Sequence, residues 1–221
     1  DPLARDAAGF LELNQGLGAN VFAAAAPRTA AGGAILANDP QSPLIAPSLY
    51  YLARLQLTPG GVIGATIPGL PVILSGRTPQ LAWGIAPATV DDADIAIEEI
   101  QPGRADRYRG AGGWTEFQAR RETLRVKGQE PLSITLRRTE NGPVLPPGQL
   151  DLERILPAGH VATLSWTGGF GGDTSMSALI GLMRAPERQV AVEGLRRMVA
   201  PALLVTLADD NGVGQVLAGA L

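Results

Sequence analysis

Short apolar runs, separated by glycine, proline and Asn-Gly pairs, dominate the chain from residue 20 to residue 144. Runs of this kind, bounded by turn residues, are typical of strands that are buried on one or both faces. Pro27 and Gly33 bound a turn between the first two runs, so these two are expected to form a hairpin. The predicted strands are 20–26, 33–37, 48–56, 61–67, 71–76, 80–86, 93–100, 115–126 and 132–139.

Helical spacing of apolar residues is confined to the two ends of the chain. Pro186 suits the start of a helix, and Asn211-Gly212 supplies the positive φ angles of a tight hairpin turn. The remaining elements are predicted as a helix at 3–16, a loop at 146–159, a strand at 161–166, helices at 174–184 and 186–198, and strands at 203–208 and 213–217. Strands outnumber helices and are segregated from them, which indicates an α+β fold.

The composition is that of an ordinary globular protein with room for one large domain or two small ones. The chain has 221 residues, of which 45% are hydrophobic and 18% are charged. A net charge of −3, with its acidic residues scattered, argues against nucleic acid or an anionic membrane as a partner. No apolar run reaches the roughly 18 residues that span a bilayer. The absence of cysteine excludes disulfides, thiolate nucleophiles and thiolate metal sites.

Few residues suggest chemistry on their own. His160 is the only histidine, which excludes a zinc helix with two histidines, and its place beside Gly159 in a predicted loop argues against catalysis. The glycine-rich segment 168–173 lacks the Lys-Ser/Thr pair of a phosphate-binding loop, so it is interpreted as a plain loop.

Asp91-Asp92-Ala93-Asp94 places three carboxylates within four residues. Such carboxylates repel one another unless water or a cation offsets their charge. Two of them and a backbone carbonyl would suit a hard cation such as calcium. The alternative is a solvated turn before the strand at 93–100, and composition alone favours that alternative.

Nine segments, in order along almost the whole chain, resemble the β chain of the penicillin acylase family, which includes cephalosporin acylases and acyl-homoserine-lactone acylases. The clearest are the first three, where the family has Gly-Ser-Asn-x-aromatic, Arg-Thr-Ala-x-Gly and Ala-Asn-Asp-Pro-His/Gln. The segments are Gly18-Ala19-Asn20-Val21-Phe22, Arg28-Thr29-Ala30-Ala31-Gly32-Gly33, Leu36-Ala37-Asn38-Asp39-Pro40-Gln41, Ala46-Pro47-Ser48-Leu49-Tyr50-Tyr51, 62–69, Leu81-Ala82-Trp83-Gly84, 91–94, 138–144 and 208–212.

This resemblance implies the four-layer αββα sandwich of N-terminal-nucleophile hydrolases, of which the chain would form a part. In that family a precursor cuts itself between glycine and serine. The serine hydroxyl then attacks the amide carbonyl carbon of a small acylated amine, such as a β-lactam antibiotic or another N-acyl compound, so that the C–N bond breaks, and its own α-amine serves as the base. By this resemblance residues 1–18 are the segment before the cut at Gly18 and Ala19, and residues 19–221 are the N-terminal part of a β-chain-like domain.

Two departures from the family pattern predict that this chain is inactive. Ala19 stands where the family has its serine, so we expect neither amide hydrolysis nor self-cleavage after Gly18. Counted without gaps from Trp83-Gly84, the position that donates a backbone N–H to the oxyanion is Pro87, which has no such group. A gap of one residue would move that position to Ala86 or Ala88. Two explanations of Ala19 remain. Either it replaces an original serine by engineering, or the chain is a natural pseudoenzyme that acts as a non-catalytic binding domain. The departure at Pro87 favours the pseudoenzyme.

The resemblance carries further expectations. Gln41 matches a residue that positions the nucleophile and substrate, with Asn38 in the same turn, while Ser42 and Thr89 depart from an aromatic acyl pocket. Asp91, Asp94 and the Ala93 carbonyl match structural calcium ligands, and no other cofactor is implied. The partners implied are a separate α chain and the remainder of the β chain, which would supply an oxyanion asparagine and more calcium ligands. The family resemblance favours the periplasm or the exterior of the cell.

Overall fold

The computed structural model describes residues 18–42, 44–56, 60–150, 152–169 and 171–220. These residues form two compact units. The first contains the described residues up to Val90 and from Gly172 onward, and the second runs from Asp91 to Gly171. The helix predicted at 3–16 lies outside the described residues.

Fourteen strands and three α-helices make up the described part of the chain. In chain order they are β1 (Ala19–Ala24), β2 (Ile35–Pro40), β3 (Tyr51–Gln56), β4 (Gly61–Thr66), β5 (Ser75–Arg77), β6 (Ala82–Pro87), β7 (Ala93–Glu99), β8 (Arg107–Gly110), β9 (Gly113–Glu116), β10 (Gln118–Leu124), β11 (Leu132–Arg138), α1 (Leu152–Ile155), β12 (His160–Trp166), α2 (Ser175–Leu182), α3 (Arg188–Leu195), β13 (Leu203–Asp209) and β14 (Gly212–Ala218). None of the helices described is long and apolar enough to cross a membrane.

The first unit is built on an antiparallel sheet of six strands in the order β14-β13-β6-β5-β4-β3. Successive side chains of a strand point to opposite faces, and one face of this sheet carries large apolar residues. Trp83, Val205 and Leu207 are fully buried there, in one cluster with Leu179 and Leu195 of the helices α2 and α3. This face and the two helices therefore enclose the main hydrophobic core.

On the opposite face of the same sheet β6 carries the small residues Ala82, Gly84 and Ala86, and the β1–β2 hairpin lies against this face. A Cβ built on Gly84 of β6 would stand 2.7 Å from Val21 Cγ1 of β1 and 3.0 Å from Asn38 Cβ of β2. Glycine at position 84 thus allows the hairpin to approach the sheet closely. The first unit consequently has three layers: the helices, the six-stranded sheet and the β1–β2 hairpin. They correspond to three of the four layers of the expected αββα sandwich.

The second unit contains three two-stranded antiparallel sheets, β7–β12, β8–β9 and β10–β11. Its buried apolar cluster is small and comprises Tyr108, Phe117 and Val161. A buried carboxylate, Glu98 of β7, adds polar contacts: its Oε1 accepts hydrogen bonds from Thr139 Oγ1 at 3.0 Å, Asn141 Nδ2 at 2.7 Å and Thr163 Oγ1 at 3.3 Å.

Most predicted elements are present within a few residues of their expected bounds, and four predictions need correction. The strand predicted at 71–76 is a loop up to Leu74, because the buried residues there pack into the core without a ladder partner. The strand at 115–126 divides into β9 and β10, and β8 was not predicted because charged residues mask its apolar pattern. The loop at 146–159 contains α1, whose Leu152 is buried.

Candidate active site

Ala19 begins β1 at the point where the hairpin reaches the end of the large sheet. It pairs with Pro40 of β2, and it is partly buried. The Gly18 carbonyl accepts a hydrogen bond from the Gln41 backbone N–H at 2.8 Å. The position expected for the nucleophile is therefore fixed in a β ladder, at the edge of a strand layer.

A cavity of about 360 Å³ opens beside Ala19. Strand ends, loops and the helix layer of the first unit all contribute to its walls, which are mostly apolar. The residues that line it are Gly18, Ala19, Pro40, Tyr50, Ile67, Leu70, Leu74, Ile85, Pro87, Asp173, Ser175, Met176, Leu179, Ala200, Pro201 and Leu203. The fold thus brings Ala19 and Pro87, which are distant in sequence, onto the wall of one cavity.

Asn38 fastens the hairpin to the sheet beside this cavity. Its Nδ2 donates to the carbonyl oxygens of Asn20 at 3.1 Å and Ile85 at 3.2 Å, and its Oδ1 accepts from the Ile85 backbone N–H at 3.0 Å. The side chain therefore substitutes for the missing ladder partner of Ile85. Asn38 lies in strand β2 and not in a turn, so its expected location was wrong, although it is close to the expected site.

Gln41, for which the resemblance predicts a positioning role, packs against Gly18. A Cβ built on Gly18 would stand 2.7 Å from Gln41 Oε1, so any larger residue at position 18 would displace this side chain. The backbone N–H of Gln41 holds the Gly18 carbonyl, as described above. Both contacts of Gln41 are thus made with the residue that precedes Ala19.

The strand ladder sets position 87, where the resemblance predicts an oxyanion donor, apart from its neighbours by the direction of its backbone groups. The Ala88 N–H donates to the Ala202 carbonyl at 3.1 Å, so it is already used within the sheet. Amide groups of successive residues in a strand point to opposite edges, and those of alternate residues point to the same edge. Ala86 therefore faces β13 as Ala88 does, whereas position 87 faces the same edge as Ile85, away from β13. Pro87 occupies this position and has no N–H to donate.

Two ionisable side chains line the cavity. Burial raises the pKa of the Tyr50 hydroxyl above its ordinary value. Asp173 Oδ1 accepts hydrogen bonds from the Ser175 hydroxyl at 2.6 Å and the Ser175 backbone N–H at 2.8 Å, and these hold the pKa of Asp173 below its ordinary value. At neutral pH the cavity wall therefore carries one negative charge, and none of its described lining residues is Lys, Arg or His.

The predicted calcium ligands lie at the start of the second unit. Asp91 and Asp94 are exposed, whereas Asp92 is held by Thr167, whose Oγ1 donates to Asp92 Oδ2 at 3.3 Å. In the described ranges no three His, Cys, Asp or Glu side chains group as a metal site. Asp91, Asp94 and the Ala93 carbonyl would supply three of the roughly six to eight oxygens that calcium takes. These donors suit calcium, and the site stays a prediction.

The remaining candidate residues do not join the cavity. Ser42 and Thr89, expected in an acyl pocket, are not among its lining residues. His160 belongs to the second unit, where its Nδ1 lies 3.0 Å from the Ala158 carbonyl oxygen. The sequence analysis missed the apolar lining residues, because a leucine that faces a cavity has the same local pattern as a leucine in the core.

Comparison with known proteins identifies relatives over nearly the whole chain. A family model described as penicillin amidase matches residues 3–221. The acyl-homoserine lactone acylase QuiP of Pseudomonas fluorescens (strain Pf0-1) is 31% identical over 201 residues, which cover 90% of this chain and 24% of that protein. Penicillin G acylase of Escherichia coli is 28% identical over 190 residues, which cover 85% of this chain and 21% of that protein. The chain thus spans about a quarter of the length of these curated relatives.

A solved structure confirms the predicted fold class. The thermostable penicillin G acylase from Alcaligenes faecalis matches with a TM-score of 0.79 and 26% identity, over 91% of this chain and 35% of that chain. The strand-rich α+β architecture is accordingly that of an N-terminal-nucleophile hydrolase. Together with the family match, this agreement shows that the chain belongs to the penicillin amidase family.

Proposed function

We propose that this chain carries the nucleophile end of an amide-hydrolase site for small N-acylated amines, and that the site is inactive as it stands. The observation that carries the proposal is the meeting of Ala19 and Pro87 on one apolar cavity. Positions 19 and 87 are those where the family resemblance expects an attacking hydroxyl and an oxyanion donor. The relatives whose names include acylase support amide hydrolysis as the reaction type.

The inactivity follows from the chemistry of these two side chains. The methyl group of Ala19 has no lone pair with which to attack a carbonyl carbon, so no covalent intermediate can form. Pro87 offers no N–H to the oxyanion, and the loss of one such donor typically slows a reaction by about 10²–10³. Either change alone would impair the site, and together they leave a cavity that can hold an acyl group without cleaving it.

A second candidate function is a non-catalytic binding domain. The specific observation in its favour is that the Ala88 N–H is already bonded to Ala202, so it does not compensate for Pro87. An enzyme inactivated at position 19 alone would need no change at position 87. On this interpretation the family fold is retained for binding, and restoring the hydroxyl alone would restore little activity.

Restoring the two groups separately and together distinguishes the candidates. Ala19→Ser with Pro87→Ala should cut itself after Gly18, and the product should hydrolyse an N-acyl amine. Ala19→Ser alone should hydrolyse it about 10²–10³ more slowly, because one oxyanion donor is still lacking. Intact mass spectrometry detects the cut, and release of the free amine measures hydrolysis.

Ala24→Ser is the matched control, since it adds a hydroxyl at the other end of β1 and should cause no cut. If the double variant stays uncut and releases no amine while it remains folded, the amide-hydrolase proposal is wrong and the binding domain is favoured.

We also propose that other polypeptide segments complete the protein, and that it acts in the periplasm or outside the cell. A further proposal is that Asp91 and Asp94 help to bind a structural calcium ion. Three oxygen donors from this chain would bind calcium weakly. Calorimetric titration with calcium should therefore give a larger heat for the parent chain than for Asp91→Ala. Equal heats would exclude Asp91 as a ligand.

A further inference from the structure

We infer that the cavity at Ala19 accepts a neutral, unbranched aliphatic acyl chain in preference to an aromatic or an anionic one. This inference rests on the proposed function, because it assigns the acyl group of the substrate to that same cavity. It is carried by the chemistry of the cavity wall, the charge on that wall and the volume that the wall encloses.

The wall is aliphatic on nearly every side. Ile67, Leu70 and Leu74 approach from the loops and strand ends, and Met176 and Leu179 approach from helix α2. Tyr50 supplies the one aromatic ring among the described lining residues. Aromatic groups gain most from rings that face them edge-on or in an offset stack, and this cavity offers a single ring. A flexible methylene chain instead gains dispersion contacts from every aliphatic wall.

The charge on the wall disfavours an anionic acyl group. The Asp173 carboxylate lies on the wall and is ionised at neutral pH, where hydrogen bonds from Ser175 Oγ and N–H stabilise its charged form, and no cationic side chain is found among the described lining residues. A carboxylate at the far end of an acyl chain would lose its water and gain no cationic partner from these lining residues. A neutral chain carries no such penalty.

The volume favours a chain over a single ring. An apolar cavity of about 150 Å³ holds one benzene molecule, whereas the cavity beside Ala19 measures about 360 Å³. A phenylacetyl group would leave much of this space unfilled, and unfilled apolar space forfeits contacts on its walls. A longer methylene chain can continue from the mouth at Ala19 toward the helix layer.

Isothermal titration of the 221-residue chain with N-acyl ethanolamines tests the inference, because the head group stays constant while the acyl group varies. From butanoyl to octanoyl, each added methylene should lower the Kd about two- to fourfold. The octanoyl compound should bind more tightly than the phenylacetyl compound, and the glutaryl compound should bind most weakly.

Two variants locate the binding site. Met176→Trp places a large side chain into the cavity from α2 and should weaken octanoyl binding at least about tenfold, because several methylenes lose their place. Val190→Trp makes a comparable exposed substitution on α3, away from the cavity, and should leave the Kd unchanged.

Three results would overturn the inference: a Kd that does not depend on chain length, tighter binding of the phenylacetyl or glutaryl compound, or an equal effect of the two tryptophan variants. Absence of binding by all the compounds would overturn it as well. Tight phenylacetyl binding would leave the amide-hydrolase proposal intact, and failure of the serine variants to cut would leave these binding measurements valid. The two proposals can therefore fail separately.

Discussion

The two units of the chain are stabilised by different kinds of interior. The first encloses a cluster of 17 buried apolar residues between its sheet and helices, whereas the corresponding cluster of the second comprises Tyr108, Phe117 and Val161. The second unit relies more on Glu98, which accepts hydrogen bonds from three side chains. The candidate site lies in the first unit, where rigid packing can hold the hairpin in place.

The largest expected effect concerns the apolar interior of the first unit. Trp83→Ala removes a fully buried side chain whose Nε1 donates to the Ile73 carbonyl at 3.1 Å. The free energy of unfolding should fall by about 3–5 kcal/mol, measured by denaturant titration with circular dichroism. Trp166→Ala, at a half-exposed position of the second unit, is the control and should cost far less. If both variants lost the same free energy of unfolding, the proposed difference between the interiors of the two units would be wrong.

The polar interior of the second unit can be tested at its centre. Glu98→Ala leaves three donors, on Thr139, Asn141 and Thr163, without their shared acceptor. Unfolding of the second unit should become easier by about 2–3 kcal/mol. Hydrogen exchange monitored by mass spectrometry should show the change in residues 91–171 and little change in the six-stranded sheet. If hydrogen exchange became faster to the same extent in both units, the two units would not unfold independently of each other.

The close approach of the hairpin to the sheet predicts a smaller effect. Gly84→Ala would place a methyl group 2.7 Å from Val21 Cγ1, which should cost about 1–3 kcal/mol of stability. Adding Val21→Ala should recover part of the loss, because it removes the contacting methyl group. Gly181→Ala on the exposed face of α2 meets no neighbour within 4 Å and should instead stabilise by about 0.5–1 kcal/mol. Thermal unfolding of the four proteins measures these differences.

The smallest effect concerns the charge on the cavity wall. The folded-state pKa of Asp173 is below the ordinary carboxyl value of 3.8, because Ser175 hydrogen-bonds to the carboxylate. Its contribution to stability is therefore complete above that value and is lost as the pH falls through the folded-state pKa. The difference in Tm between the parent and Asp173→Asn should be largest near neutral pH and should close in acid. A difference that widens in acid would contradict this assignment.

The sequence predicted the fold well where apolar runs were bounded by strong turn residues. The β13–β14 hairpin was predicted from its Asn211-Gly212 pair, and the structure places the turn at residues 210 and 211, between the paired Asp209 and Gly212. Of the Asn-Gly pair only Gly212 adopts a positive φ, of 136°, so the expected positive φ at Asn211 was wrong. The α2 and α3 helices followed from their apolar spacing and Pro186. Strand β8 could not be predicted, because charged residues surround its buried Tyr108, whose burial comes from packing on Phe117 with ring centroids 5.0 Å apart.

The site was predictable in part. The resemblance indicated Ala19, Gln41 and Pro87, and the structure places Ala19 and Pro87 on one cavity with Gln41 against Gly18. The rest of the cavity could not be predicted, since Leu70 and Met176 come from different layers and no local pattern separates a cavity wall from a core. The role of the Ala88 N–H also required the ladder register, which the sequence does not contain.

The most direct test asks whether position 19 opens on the acyl-binding cavity. The chain has no cysteine, so Ala19→Cys introduces a single thiol, and its rate of alkylation by iodoacetamide can be followed by mass spectrometry. We predict that N-octanoyl ethanolamine slows this alkylation in proportion to cavity occupancy, while Ala37→Cys on the exposed part of β2 gives an alkylation rate that the ligand does not change. If the ligand protects neither thiol, or protects both equally, residue 19 is not part of the acyl-binding cavity and the account is wrong.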